Sequence, residues 1–136
     1  MRRYQDLDVG KESIDLALIV YKQTASYPDS ERYGRVSQTR RAAVSISCNI
    51  AEGQGRFQPG EFLNQLSVAR GSLQELETLC IVAHRLRYAT ADQLETLLTR
   101  SDRISRMLTG LRKTLEVDRR RTSRSSIQGH RPQQGE

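Results

Sequence analysis

The chain has 136 residues and a formal net charge of +6, and only 5% of its residues are aromatic. This length is enough for one domain with its own hydrophobic core, without disulfides or metals. No window holds the roughly 18 consecutive apolar residues of a membrane span, and the start lacks the apolar segment of a signal peptide. We therefore expect a cytoplasmic, helix-rich protein with no membrane contact.

The two cysteines, Cys48 and Cys80, have neither CxxC spacing nor a nearby partner in the sequence. Both fall on apolar positions of predicted helices. We therefore expect two buried free thiols in a reducing compartment.

The first predicted helix covers residues 9–25 and ends before Pro28, which disfavours helical geometry at Tyr27. Its helically spaced apolar positions predict a core-facing seam. The seam consists of Leu7, Ile14, Leu18, Tyr21 and Ala25. Three further apolar residues, Leu16, Ile19 and Val20, lie outside this seam and predict a surface for a partner.

The second predicted helix begins with Ser37 as its N-cap and continues to about Glu52, where Gly53 and Gly55 end it. Its apolar face is Val36, Ala43, Ile46 and Ile50.

The third predicted helix has Pro59 in its first turn, where the missing N–H costs nothing. Its seam alternates steps of four and three: Phe62, Leu66, Ala69, Leu73, Leu76, Cys80 and Ala83. Additional apolar residues predict self-association through this helix: Leu63, Leu79, Val82 and Leu86.

The fourth predicted helix opens with a capping box from Thr90 to Gln93. Its seam is Leu94, Leu97, Ser101, Ile104, Leu108, Leu111 and Leu115. From Asp118 the seam stops, and residues 118–136 hold five arginines against two acids. We expect a disordered basic tail there.

Four such seams, joined mostly by short loops, predict an all-α fold: an antiparallel, up-and-down four-helix bundle over residues 1–117. The longest connection, residues 26–36, joins the first two helices.

Polar residues also follow helical rows on the second and third helices. One interpretation is a structural network, in which Ser45, Asn49, Glu52, Ser72 and Glu75 hydrogen-bond or pair across an interface. The other is contact with phosphate or an acidic partner through arginines, whose planar fork suits both. Those arginines are Arg40, Arg41 and Arg56, with Arg119, Arg120 and Arg121 of the tail.

Catalytic and cofactor motifs find little support. The Gly53–Gly55 segment lacks the preceding strand and the third glycine of a dinucleotide loop, and no GxxxxGK[ST] occurs. His84 is the only histidine within the predicted bundle, so the Glu-x-x-His pairs of a di-iron bundle are missing. We expect no enzymatic activity, no metal and no cofactor.

The sequence RRAAVSI at residues 40–46, followed by NIAEG at residues 49–53, closely resembles the signature of the 23S rRNA intervening-sequence family of four-helix bundle proteins. The match extends over residues 4–116 and includes GSL at residues 71–73 and ELET at residues 75–78. Cys48 and Gln58 depart from the family pattern, and the arginine-rich tail lies outside it.

That family is similar in fold to the accessory variability proteins of diversity-generating retroelements, which form pentameric barrels and bind a reverse transcriptase and nucleic acid. The resemblance therefore implies a ring-like homopentamer without catalysis, with RNA or DNA and a reverse-transcriptase-like protein as partners. A structural or protein-binding assembly without nucleic acid is the alternative.

Overall fold

The computed structural model describes residues 8–56 and 58–129, and within these ranges the chain is helical with no β-strand. Four α-helices follow one another: α1 (Asp8–Thr24), α2 (Ser37–Gln54), α3 (Pro59–Arg85) and α4 (Ala91–Gly129). Leu7, the rest of the opening segment and residues 130–136 of the expected tail lie outside the described residues.

The helices form the predicted antiparallel bundle, with each helix packed against two neighbours. The hydroxyl groups of Ser45 on α2 and Ser72 on α3 are 2.8 Å apart. At the closing seam, Glu12 of α1 pairs with Arg103 of α4 at 3.2 Å. The chain therefore runs up, down, up and down around one shared core.

The predicted core faces of α2, α3 and α4 are confirmed. All seven predicted seam residues of α3 are buried, and so are those of α4 except Leu94, which is partly buried against the same core. Two of the extra α3 residues, Leu63 and Leu79, also pack on this core. They widen it, so they do not form the expected partner surface.

The predicted core face of α1 is wrong. Ile14, Leu18 and Tyr21 are 54%, 64% and 44% exposed, whereas Leu16 and Val20 are fully buried. Two apolar rows run along α1, and the longer one faces outward. The buried row is less obvious in the sequence because polar residues interrupt it.

The buried polar side chains of α1 and α4 have internal hydrogen-bond partners. Ser13 donates to the carbonyl of Gly10 at 2.7 Å, and Thr24 donates to that of Val20 at 2.8 Å. Ser101, the single polar position of the α4 seam, donates to the Glu77 carboxylate across the α3–α4 seam. A buried hydroxyl is tolerated when such a bond is made.

The α1–α2 connection is more ordered than a loop. It contains a short 3-10 helix (Asp29–Glu31) and a π-helical turn (Arg32–Val36) that leads directly into α2. Because Val36 is already helical, Ser37 forms no side-chain cap, and the predicted N-cap is wrong. Tyr27 is buried and lies against Tyr88, with ring centroids 5.7 Å apart.

The α3–α4 turn is tightly bonded on both sides. The amides of Arg87 and Tyr88 bond back to the carbonyls of His84 and Ala83, with Arg87 at a φ of 65°. This is the paired bonding of a Schellman motif. The predicted capping box is confirmed, because the Thr90 amide bonds the Gln93 side chain at 2.9 Å and the Gln93 amide bonds Thr90 Oγ1 at 3.1 Å.

The expected disordered tail would leave helical structure at Asp118. Instead, α4 continues as a helix to Gly129. Its packed core nevertheless ends near the predicted boundary, at Leu115. No proline or glycine interrupts residues 111–128, so the formed helix propagates at little cost. The extension of α4 beyond Leu115, residues 116–129, is about 21 Å long at 1.5 Å per residue.

The two cysteines differ. Cys80 is buried as expected, whereas Cys48 is exposed, so that part of the prediction is wrong. Cys48 lies on the outward side of α2.

Candidate functional site

The polar row of α2 forms a small bonded cluster at the α2–α3 seam. Asn49 Nδ2 donates to the Ser45 carbonyl at 2.7 Å and to Ser45 Oγ at 3.0 Å. Since Ser45 also bonds Ser72, three of the five residues assigned to a structural network lie together. Only the Ser45–Ser72 bond crosses between the helices, and it fixes the register of α2 against α3.

The charged members of that row do not join the cluster. Glu52 pairs with Arg56, which lies just past the end of α2, at 3.5 Å, and both side chains are about half exposed. Glu75 is exposed and forms no ion pair within the described residues. An exposed pair between residues close in sequence contributes little stability.

Arg40 anchors α2 to the end of α1. Its Nε donates to Thr24 Oγ1 at 2.9 Å and its Nη2 donates to the Tyr21 carbonyl at 3.1 Å. The guanidinium also lies over the Tyr21 ring, with Cζ 4.6 Å from the centroid. Carbonyls in the last turn of a helix lack intrahelical partners, so this bond satisfies one of them.

Arg41, the next residue, has a different environment. It is exposed, and no carboxylate of the described residues pairs with it. It lines a surface groove of about 690 Å³ that we call the α1–α2 groove. The groove is lined by Tyr21, Arg32, Tyr33, Val36, Ser37, Arg40, Arg41, Val44 and Ser45.

The lining of this groove is basic and aromatic. It contains three arginines and two tyrosines and no acidic residue. Tyr33 is 89% exposed, and the Arg32 guanidinium lies 5.8 Å from its ring centroid. Sequence reasoning missed Arg32 and Tyr33, although the basic and aromatic sequence RYGR was a usable signal.

The arginines predicted to contact a ligand do not form one site. Arg41 on α2 and Arg56, just past the end of that helix, are separated by about 22 Å, at 1.5 Å per residue. Arg119 lies beside the start of α3, because a Cβ built on Gly60 would be 3.7 Å from its Nε. Arg56 and Arg119–Arg121 therefore lie toward one end of the bundle, and Arg40 and Arg41 toward the other.

A second surface is apolar. The outward sides of α1, α2 and α3 carry exposed aliphatic or small side chains, which we call the apolar face. It consists of Ile14, Leu18, Cys48, Ala51 and Val68. Gly71, one turn beyond Val68, has no atom within 4 Å of a built Cβ. Exposed aliphatic residues on successive helices of a bundle make this face a candidate protein interface.

Metal and membrane features are not found in the part of the chain that the structure describes. Within residues 8–56 and 58–129 no three metal-ligating side chains cluster, and none of the helices has the length and apolarity to cross a membrane. His84 Nδ1 lies 3.0 Å from the Ala89 carbonyl, so this ring belongs to the α3–α4 turn.

Comparison with known proteins identifies the family. The family model described as 23S rRNA-intervening sequence protein matches residues 5–110. Among solved structures, a protein of unknown function from the S23 ribosomal protein family of Bacteroides thetaiotaomicron VPI-5482 is 25% identical, with a TM-score of 0.69. The match covers 77% of this chain and 98% of that chain. No curated protein matches. Because the family model spans most of the bundle, including the α2 signature, the chain belongs to the 23S rRNA-intervening sequence protein family.

Proposed function

We propose that the chain is a non-enzymatic, oligomeric scaffold in the cytoplasm that binds RNA or DNA through phosphate contacts from its basic surface. The α1–α2 groove is the observation on which the proposal rests, because three of its lining residues are arginines and none is acidic. Arginine binds phosphate through two parallel hydrogen bonds.

Within this groove, Arg41 and Arg40 have different roles. Arg40 is engaged by Thr24 and Tyr21 and holds α1 to α2. Arg41 has no intramolecular ion pair among the described residues, so its guanidinium can bind a phosphate without first breaking one. We therefore assign phosphate contact to Arg41 and a positioning role to Arg40.

The extension of α4 supplies a second basic surface. Arg119, Arg120 and Arg121 are exposed and lie beyond the last core residue, Leu115. Arginines on a projecting helix add sequence-independent affinity for a phosphate backbone. Together with Arg56 they place positive charge at the end of the bundle opposite to the groove.

The apolar face supports self-association. Leu18 on α1 and Val68 on α3 are 64% and 51% exposed, and burial against other copies would remove these side chains from water. We propose a homo-oligomer, and the family resemblance implies that it has five copies. A reverse-transcriptase-like protein is the proposed protein partner.

Fluorescence anisotropy with labelled RNA and DNA oligonucleotides tests the proposal. The full-length protein should bind at low salt, and the logarithm of the affinity should fall linearly with the logarithm of salt concentration, because each phosphate contact releases counterions. A chain that ends at Val117 should bind more weakly, with a shallower slope. No binding at low salt by the pure oligomer would contradict the proposal.

A protein-binding assembly without nucleic acid is the second candidate, and the apolar face favours it. Arg41→Ala separates the two. If this variant stays folded and oligomeric but loses nucleic-acid affinity, Arg41 is a ligand contact. If the Arg41→Ala oligomer dissociates and the wild-type protein binds no nucleic acid, the result supports a protein-binding assembly.

A further inference from the structure

We infer that the α1–α2 groove takes single-stranded nucleic acid, with a base stacked on Tyr33 and the adjoining phosphates on Arg32 and Arg41. This inference rests on the proposed function and adds the class of strand and the residue that selects it. It assigns a role to an aromatic side chain that the fold does not use.

Tyr33 differs from the other tyrosines at this end of the bundle. Tyr27 is buried against Tyr88, and Tyr21 lies under Arg40. Tyr33 is 89% exposed, and among the described residues no second aromatic ring packs on it. A large ring left in water contributes nothing to the core, so its position on the groove points to a ligand.

The surroundings of the ring suit a stacked base. The guanidinium of Arg32 lies 5.8 Å from the centroid of Tyr33, on one side of the ring. Aromatic rings flanked by arginine are the usual platform for unpaired bases, because every base presents a flat face to them. The groove volume of about 690 Å³ is that of a small-ligand site, a scale suited to individual nucleotides.

The local charge is also favourable for a phosphate. Glu31, the acid next to Arg32 in the chain, is paired with Arg35 at 2.8 Å, so its charge is already neutralised. Arg41 and Arg32 thus line the groove without a competing carboxylate among the lining residues.

A duplex fits this arrangement poorly. Its bases are stacked on one another and present no free face to Tyr33, so it could use only the arginines. An acidic protein would likewise use the charges and leave the ring idle. Tyr33 therefore distinguishes a single strand from the other polyanions.

The test uses the full-length protein and anisotropy with a labelled single-stranded oligonucleotide and its duplex at one low salt concentration. Wild type should bind the single strand more tightly. Tyr33→Ala should weaken single-strand binding by at least about 5-fold and leave duplex binding nearly unchanged. Tyr33→Phe should bind like wild type, because the ring is kept.

Matched charge variants complete the design. Arg41→Ala should weaken both ligands, whereas Arg70→Ala, which removes an exposed arginine on α3, should change neither by more than about 2-fold. Because Tyr33 and Arg41 are both exposed, circular dichroism should show intact bundles. Poly-glutamate at equal charge should displace the single strand less readily than an unlabelled single strand does, because it competes only for the arginines.

Each outcome decides a separate claim. If wild type binds neither ligand, the proposed function fails. If it binds but Tyr33→Ala equals wild type, or the duplex binds as tightly as the single strand, or poly-glutamate displaces the strand as readily as an unlabelled single strand does, only the single-strand inference is overturned.

Discussion

Arg40 of α2 contacts Tyr21 of α1 in two ways. The guanidinium of Arg40 lies over the ring of Tyr21, 4.6 Å from its centroid, and also donates to the backbone carbonyl of Tyr21 at 3.1 Å. The Arg40 side chain thus packs on the Tyr21 ring and also bonds a carbonyl near the C-terminal end of α1. The same contact sets one wall of the α1–α2 groove, because Tyr21 and Arg40 both line it.

Arg40→Ala should lower the free energy of unfolding by about 1–2 kcal/mol, since it removes two charged hydrogen bonds and a ring contact. Arg41→Ala should change it by less than about 0.5 kcal/mol, because Arg41 is exposed. Urea unfolding followed by circular dichroism measures both. Equal losses from the two variants would contradict the division of roles.

Gly53→Ala should destabilise the bundle by about 1–3 kcal/mol, since a Cβ at Gly53 would lie 2.5 Å from Cδ1 of Phe62, which is buried. Gly110→Ala is the control, because nothing lies within 4 Å of its built Cβ. There the better helix propensity of alanine should stabilise the protein by about 1 kcal/mol. Thermal unfolding should show shifts of opposite sign, and a neutral Gly53→Ala would rule out the close approach.

Thiol labelling should separate the two cysteines. In a Leu18→Glu variant, whose apolar face is not covered by another copy, a thiol reagent should modify exposed Cys48 rapidly and buried Cys80 only after unfolding. Fast modification of Cys80 in the native state would contradict its burial. Mass spectrometry of the digested protein identifies the modified residue.

Burial raises the pKa of Cys80 from 9.0 to about 12, with the negative charge of Glu77 as a second cause. The unfolded chain therefore loses this proton at lower pH than the folded one. The contribution to stability is complete below pH 9 and is lost as the pH rises through about 12. Tyr27, whose pKa burial also raises to about 12, acts in the same direction. Cys80→Ala should make the urea midpoint less dependent on pH above 9; an unchanged dependence would assign the effect elsewhere.

Leu18→Glu should dissociate the oligomer, because it places a charge on the apolar face. Thr109→Glu, an equally charged change at an exposed position of α4, should not. Gly71→Ala should stabilise the bundle yet weaken assembly if α3 approaches another copy closely. Light scattering at micromolar concentration measures the mass, and a monomeric wild type would contradict self-association.

The bundle and the core faces of α3 and α4 follow directly from the sequence, because the seams of these two helices are long and almost entirely apolar. The face of α1 could not be chosen by spacing. Its outer row, with Ile14 and Leu18, is more apolar than its inner row, which includes Ser13 and Thr24. Those two hydroxyls bond carbonyls of their own helix, so burying them costs little.

The candidate site was only partly accessible to sequence reasoning. Arg41 was identified, but separating it from Arg40 required the register of α1 against α2, which brings Thr24 and Tyr21 to Arg40. Tyr33 was missed because residues 26–36 looked like an ordinary connection, and the π-helical turn that presents the ring carries no strong sequence signal.

Photo-crosslinking with a single-stranded oligonucleotide that carries 5-iodouridine tests directly whether a base stacks on Tyr33, since it reports which side chain touches a base. After digestion and mass spectrometry, we expect an adduct on Tyr33, lost in Tyr33→Ala and weakened in Arg41→Ala. Adducts confined to residues 119–124, with none in the α1–α2 groove, would contradict this expectation.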